Sequence, residues 1–179
     1  MNPYSKYHQS LQKEFYKLSK VSNSIFLGQQ VAKTSFYNLL TDISIKKRIE
    51  MPVCEELQMS VSIGLAMENY LPISIFQRMD FLPRAMDSLV NHLDIMKEMT
   101  RGQFNPKIII ISTVGSTFPL DSGLQHSKDL IDGFRALLKN IKVFNPKTVK
   151  EVNKSFEEAN KYDGSSLLVF YQDLWSDNK

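Results

Sequence analysis

The stretch PVCEELQMSVSIGLAMEN, residues Pro52–Asn69, decides how the rest of the chain is interpreted. Its larger apolar residues alternate with glutamine, serine, glycine and alanine, and a period of two is typical of a β-strand. A strand of this length would be about twice the usual one. Because the alternating partners are small, the same stretch would form a helix that is apolar on nearly all sides, as expected for a buried helix. The pattern alone favours a helix that begins near Glu55, but it leaves the strand open.

The composition is that of an ordinary globular domain. The chain has 179 residues, of which 42% are hydrophobic and 23% charged, enough for one domain with a substantial core. A net charge of +3 and scattered basic residues do not indicate nucleic-acid binding. The single cysteine, Cys54, excludes an internal disulfide and a cysteine-based zinc site. No apolar run approaches the roughly 20 residues that span a membrane, and the start lacks a signal-peptide core, so we expect a soluble cytoplasmic protein.

Strand and helix patterns alternate along the chain. Short apolar runs, several of them β-branched, are typical of buried parallel strands. We predict strands at Ser24–Gly28, Leu71–Phe76, Lys107–Ser112, Lys142–Asn145 and Ser166–Tyr171. We predict helices at 4–20, 83–99 and 129–140 and after an Asn145–Pro146 cap, with loop and a short helix near Ser35–Leu40 in 29–48. This alternation predicts an α/β fold with a mostly parallel central sheet flanked by helices.

Several familiar phosphate and metal sites are absent from the sequence. It contains no GxGxxG turn, no Walker phosphate loop and no HExxH motif. The histidines His8, His92 and His126 are not spaced as metal ligands. A hydrolase triad of Ser127, His126 and Asp129 has little support, because adjacency in sequence is not triad geometry. The sequence therefore carries no recognisable phosphate or metal motif of its own.

Five short motifs follow one another in a recognisable order. They are Glu55 ahead of Gly64-Leu65-Ala66, Pro72 at a strand start, the patch Gln77–Phe81, the helix motif Pro83, Ala85, Asp87, Val90 and Asn91, and the loop Gly123–Ser127. In this order, residues of about 24–172 resemble the beta subunit of the thiamine-diphosphate-dependent 2-oxo acid dehydrogenases, which include the pyruvate, branched-chain and acetoin enzymes. The resemblance supports the helix in the opening stretch.

The resemblance implies a single pyrimidine-binding domain over residues 1–179, with the thiamine-diphosphate-binding α/β fold. In this family the cofactor thiamine diphosphate lies across two domains, usually from different subunits. One domain grips the diphosphate through magnesium, and the other holds the aminopyrimidine. This chain resembles the second domain. An alpha-type partner subunit is therefore implied to hold the diphosphate and the magnesium, within a homodimer or a heterotetramer.

The resemblance also implies roles for particular residues. Glu55 would be catalytic through a hydrogen bond to the far ring nitrogen of the aminopyrimidine, and His126 would handle protons or substrate oxygen. The residues implied to bind the cofactor are Glu55, Gln77, Arg78, Met79 and Phe81. Without the resemblance, Glu55 is more readily a helix cap. The alternative for His126 is a loop histidine at a subunit interface.

Arg78 departs from the family pattern, because relatives often carry an aromatic residue in this patch. Three roles stay open for Arg78: its guanidinium stacks on the pyrimidine, it faces a substrate anion, or it weakens the site. Aromatic side chains usually contribute by stacking. The patch therefore predicts a cofactor contact without settling its chemistry.

Length is the other departure, because the beta subunits of the family continue into a second domain. The first expectation is the pyrimidine-binding subunit of an enzyme that acts on a 2-oxo acid, by decarboxylation or dehydrogenase-type chemistry. One alternative is ketol transfer from a ketose by a split, transketolase-like enzyme. The other is a non-catalytic interaction subunit with the same fold.

Overall fold

The computed structural model describes residues 4–117 and 121–176. The strands within these residues are β1 Ser24–Gly28, β2 Arg48–Glu50, β3 Leu71–Ile75, β4 Ile109–Val114, β5 Lys142–Phe144 and β6 Ser166–Tyr171. They form one sheet in the order β2-β1-β3-β4-β6-β5, and every neighbouring pair is parallel. The α-helices are α1 Lys6–Ser19, α2 Glu55–Met67, α3 Met96–Met99, α4 Ile131–Leu137 and α5 Val149–Lys161. The predicted α/β class with a parallel central sheet is confirmed.

Helices cover both faces of the sheet. Apolar residues of α1 and α5 form one core with the sheet, and those of α2 and α4 form the other. In β4, Ile109 and Ile111 belong to the first core and Ile110 to the second, because successive side chains of a strand point to opposite faces. The continuous apolar run of this strand is explained by burial on both sides. None of the helices in the described ranges is long and apolar enough to cross a bilayer.

The opening stretch forms a helix, as predicted. The polar residues on its buried side are bonded within the fold. Gln58 Nε2 donates to Ile75 O at 3.0 Å and to Ser74 Oγ at 3.2 Å, and Ser62 Oγ donates to Gln58 O at 2.8 Å. Because buried polar groups are stable where they are hydrogen-bonded, α2 can bury Gln58 and Ser62 beside its apolar residues. The expected burial on all sides is not found, since Leu57 and Met67 are exposed.

Most of the predicted strands lie close to their predicted bounds. β1 and β6 have the predicted bounds, β3 and β5 are each one residue shorter at the end, and β4 is shifted by two residues towards the C-terminus. The helices predicted at 4–20 and 129–140 are present as the shorter α1 and α4. β2 was not predicted, since its three residues are only half-buried and form no apolar run.

The short helix predicted near Ser35–Leu40 is wrong. Residues 35–38 have positive φ angles between 44° and 63°, a left-handed conformation that costs a non-glycine residue roughly 1–2 kcal/mol. Long-range contacts hold the segment in this conformation. The Phe36 side chain is completely buried, and Arg48 Nη1 donates to Ser35 Oγ at 2.8 Å. Local sequence patterns do not report such contacts.

The helix predicted at 83–99 is divided into three pieces. A 3₁₀ turn at Leu82–Ala85 is followed by a π-helical segment at Asp87–Leu93 and then by α3. The Glu56 carboxylate of α2 accepts hydrogen bonds from both the N–H and the hydroxyl of Ser88, so tertiary contact fixes the chain inside the segment. Wider π turns of this kind frequently lie near functional sites.

The cap predicted for the last helix is also wrong. α5 begins after Thr148, whose hydroxyl accepts the Glu151 N–H at 3.3 Å. The predicted cap residue, Asn145, instead accepts a hydrogen bond from Arg135 Nη2 at 2.5 Å. Its side-chain oxygen is therefore engaged by α4 rather than by the helix that follows it.

Candidate active site

The chain reverses the direction in which it builds the sheet between β1 and β3. From β1 it moves outward to β2, and from β3 it moves to β4 on the other side. The loops that leave β1 and β3 therefore diverge, and open α/β sheets bind ligands in such a crevice at the carboxyl ends of the strands. Gln29 follows β1, Gln77 follows the end of β3, and Glu55 opens α2. We call the site formed by these three residues the switch-point crevice.

Glu55 is the central residue of the switch-point crevice, and its side chain is only 3% exposed. Gln29 Nε2 donates to Glu55 Oε1 at 3.3 Å. Arg84 Nε lies 3.0 Å from Glu55 Oε2, but not in hydrogen-bonding direction, and Oε2 accepts no hydrogen bond from the described residues. Buried polar atoms are normally paired. Oε2 is therefore a buried acceptor that can receive a donor from a ligand.

The neighbouring carboxylate, Glu56, has a different role. It is half-buried and bonds Ser88 on the π-helical segment. Cys54 at the N-cap of α2 makes no side-chain capping hydrogen bond. The structure therefore separates the two adjacent glutamates: Glu56 joins two elements of the fold, whereas Glu55 faces the crevice.

Gln77 and Arg78 join the end of β3 to the edge of this crevice. Gln77 Nε2 donates to Gln29 O at 3.4 Å, which bridges the ends of β1 and β3. Arg78 Nη1 donates to Gln77 O at 3.1 Å and to Thr113 Oγ1 at 3.3 Å. The Arg78 guanidinium carbon lies 5.2 Å from the centre of the Tyr37 ring, a cation–π contact. Arg78 is thus held by its own chain, with Tyr37 as its stacking partner.

Phe81 and His126 meet at a second cavity, beside the turn that follows β3. Their rings are in edge contact, with 5.6 Å between the ring centres. The cavity has a volume of about 440 Å³, and its other lining residues are Asp80, Pro83, Gln125, Lys128 and Leu130. Gly115 N donates to His126 O at 3.1 Å and holds the histidine loop against the end of β4. A Cβ at position 115 would lie 2.1 Å from that oxygen, so the approach requires glycine.

Met79 is placed differently from the other predicted cofactor-binding residues. Its side chain is completely buried in the core on the α2 face of the sheet. The structure therefore brings Glu55 and Gln77 together at the crevice, and Phe81 and His126 together at the second cavity. It leaves the Met79 side chain outside both groups.

Two residues that contact Glu55 were not predicted from the sequence. Gln29 had a usable signal, because residues that follow parallel strands gather at the ligand-binding edge of a sheet. Arg84 had none, since an arginine after Pro83 in a helical pattern suggests only a solvated surface. Tertiary packing alone brings the Arg84 side chain to Glu55.

The switch-point crevice has the chemistry to bind a nitrogen heterocycle. A buried carboxylate oxygen accepts a hydrogen bond from a ring N–H, and the amides of Gln29 and Gln77 offer both donors and acceptors beside it. Across residues 4–117 and 121–176, no group of three or more His, Cys, Asp or Glu residues is arranged to hold a metal ion.

Comparison with known protein families identifies the class. The model of the transketolase pyrimidine-binding domain matches residues 6–174. The chain therefore belongs to this family, the pyrimidine-binding domain of thiamine-diphosphate enzymes of the transketolase type. None of the curated proteins matches the chain.

Solved transketolase structures share the fold. A structure described as a split gene transketolase, inactive beta4 tetramer, matches with a TM-score of 0.69 at 16% identity, covering 93% of this chain and 49% of that one. Transketolase from Campylobacter jejuni gives 0.72 at 19% identity, covering 97% and 27%. Transketolase from Leishmania mexicana gives 0.71 at 14% identity, covering 90% and 24%. The chain thus spans about half the length of the first structure and about a quarter of the other two.

Proposed function

We propose that this chain is the pyrimidine-binding subunit of a thiamine-diphosphate-dependent enzyme and works with an alpha-type subunit that binds the diphosphate. The observation that carries the proposal is Glu55 Oε2, a buried acceptor without a hydrogen bond from the described residues. Glu55 binds the far ring nitrogen of the aminopyrimidine through this oxygen. The Gln29 amide orients the other carboxylate oxygen at 3.3 Å. Membership of the pyrimidine-binding family supports the identity of the cofactor.

When bound, thiamine diphosphate supplies a carbanion that attacks the carbonyl carbon of the substrate. The task of Glu55 is to hold a proton at the ring nitrogen. Its burial favours this task, because a hydrogen bond is stronger where water is excluded. His126 transfers protons to and from substrate oxygen, at the cavity that it shares with Phe81.

The proposal assigns the diphosphate and its magnesium to the partner subunit, following the two-domain site of the family. Exposed apolar side chains stand beside both groups of proposed site residues. Val53 is 76% exposed and lies two positions before Glu55, and Leu124 is 86% exposed and lies two positions before His126. Exposed apolar surface beside a site suits a subunit contact, which supports a homodimer or a heterotetramer in which the partner covers the crevice.

A 2-oxo acid is the first candidate substrate, on the resemblance of residues 24–172 to the beta subunits of 2-oxo acid dehydrogenases. Ketol transfer from a ketose is the second candidate. It is favoured by the likeness to the split gene transketolase, which covers 93% of this chain. The two reactions differ in the fragment released, which is carbon dioxide from a 2-oxo acid and an aldose from a ketose.

Reconstitution tests the proposed role of Glu55. The chain is combined with an alpha-type partner, thiamine diphosphate and magnesium, and turnover is measured for Glu55→Gln and for the matched control Glu56→Gln. We expect Glu55→Gln to lower turnover by about 100-fold or more with assembly intact, and Glu56→Gln to retain turnover. Full turnover by the assembled Glu55→Gln pair would remove Glu55 from the mechanism.

Product analysis of the same pair separates the substrate classes. Carbon dioxide release from a panel of 2-oxo acids supports the dehydrogenase or decarboxylase assignment. Transfer of a two-carbon unit from a ketose phosphate to an aldose supports ketol transfer. Calorimetry of thiamine diphosphate with magnesium, with and without the partner, tests the remaining alternative, because no heat in either titration would favour a non-catalytic interaction subunit.

A further inference from the structure

An exposed cation covers the buried carboxylate of the switch-point crevice. The side chain of Arg84 is 71% exposed, whereas that of Glu55 is 3% exposed, and 3.0 Å separates Arg84 Nε from Glu55 Oε2. The backbone beneath Arg84 is well anchored, because Leu82 and Ala85 on either side are completely buried. Arg84 N also donates to Phe81 O at 3.0 Å. The turn therefore fixes the backbone of Arg84, whereas its side chain is exposed to water.

The buried carboxylate of Glu55 needs a counter-charge. A buried carboxylate is costly unless it is both paired and hydrogen-bonded. The hydrogen bond that Glu55 accepts is long, at 3.3 Å from the Gln29 amide. The N-terminus of α2 adds a partial positive charge, and Arg84 supplies the full positive charge in contact with the carboxylate.

The contact with Arg84 is easily exchanged. An ion pair with one solvated partner contributes little, because water and salt screen it and the long side chain loses freedom. Arg84 also touches Oε2, the same oxygen that lacks a hydrogen bond. A ligand donor that reaches Oε2 therefore competes directly with the guanidinium.

We propose that Arg84 is the positioning residue of Glu55: in the chain alone it holds the buried carboxylate in place, and it gives up Oε2 to the pyrimidine of a bound cofactor. The second half of this inference rests on the proposed function, whereas the first half concerns the chain alone. Its signature is a substitution that makes the chain less stable but makes the cofactor bind more tightly. A residue with a purely structural role would not combine these two effects.

A double-mutant cycle on the full chain tests the seating role. Urea unfolding is measured for the wild type, Arg84→Gln, Glu55→Gln and the double variant, with Arg101→Gln as a control, since exposed Arg101 pairs with no acid in the described ranges. We expect Arg84→Gln to lower the folding equilibrium constant about threefold in the wild-type background and to have no such effect in the Glu55→Gln background. Equal effects in both backgrounds would overturn the inference.

Cofactor titration of the reconstituted pair tests the exchange role. We expect Arg84→Gln to lower the KM for thiamine diphosphate about threefold, a fall larger than any change in kcat, and Arg84→Lys to behave like the wild type because it keeps the cation. A raised KM for Arg84→Gln would overturn the proposal that Arg84 gives up Oε2 to the cofactor. If Glu55→Gln is fully active the proposed function fails, but the urea cycle still decides whether Arg84 seats Glu55.

Discussion

Two carboxylates in this protein are equally buried, but they differ in how many hydrogen bonds they accept. Asp94 and Glu55 are each 3% exposed. The Asp94 carboxylate accepts backbone N–H groups of Lys139, Asn140 and Ile141, each at 2.9 Å. Glu55 accepts one long amide hydrogen bond, and its second oxygen accepts none from the described part of the chain.

The difference separates a carboxylate that the backbone holds from one that we propose to be functional. The donors to Asp94 are backbone groups of the segment between α4 and β5, and backbone donors cannot leave without local unfolding. The neighbours of Glu55 are the side chains of Gln29 and Arg84, which can rotate away. A buried carboxylate that is fully satisfied contributes to stability, because removal of it orphans its donors. One that is incompletely satisfied is prepared to bind a ligand.

The sharpest test of this contrast is Asp94→Ala. Three backbone N–H groups, of which that of Ile141 is buried, lose their acceptor, so we expect the free energy of unfolding to fall by about 3 kcal/mol. Urea unfolding measures it, with Asp132→Ala as the control. The Asp132 side chain is 97% exposed and pairs only at the surface, so its loss should change stability little. A small effect of Asp94→Ala would break the comparison.

Gly115→Ala tests whether the His126 loop, which lines the second cavity, is held as rigidly as the segment bonded to Asp94. A new Cβ would lie 2.1 Å from His126 O, so we expect the histidine loop to move, with a loss of about 2 kcal/mol of stability and of turnover in the reconstituted pair. Gly133→Ala is the matched control, because its Cβ meets nothing within 4 Å and the site is helical. This control should be neutral or stabilising. Wild-type stability and turnover in Gly115→Ala would show that the loop adapts freely.

His8 extends the comparison to a buried base. Burial lowers the pKa of His8 below its ordinary value of 6.5, and the contact of Nε2 with Tyr37 O only partly opposes this. Its contribution to stability is therefore complete above pH 6.5 and is lost as the pH falls from 6.5 towards the lowered pKa, by at most about 1.4 kcal/mol per pH unit. Chemical unfolding from pH 7.5 to 5 should show this slope in the wild type and its absence in His8→Phe. Parallel curves would contradict the assignment.

The smallest effect on stability is expected for Glu55→Gln. The substitution keeps the size of the side chain and removes a buried charge with few partners, so the free energy of unfolding should change by less than about 1 kcal/mol. The large effect of this substitution is expected on turnover. Urea unfolding of Glu55→Gln beside Asp94→Asn makes the comparison direct, since the same chemical change should be costly only at position 94. Equal losses at the two positions would place Glu55 among the structural residues.

Sequence patterns predicted the structure correctly where consecutive residues of an element are buried. The apolar runs predicted β1 and β6 with their bounds, and they placed β4 because both of its faces are covered. The motifs around Glu55 predicted the start of α2. The patterns failed where a distant side chain fixes the backbone, as Glu56 does at the π-helical segment and Arg48 does at the left-handed turn.

The sequence by itself determined the α/β class, the strands that precede the loops of Gln29, Gln77 and Gly115, and the position of Glu55 at a helix start. These properties follow from local periodicity, which short windows of sequence contain. Only the tertiary structure decided that Gln29 and Arg84 contact Glu55, that the Met79 side chain lies in the core, and that Gly115 holds the His126 loop. Such contacts join residues far apart in the chain, and packing of the whole fold selects them.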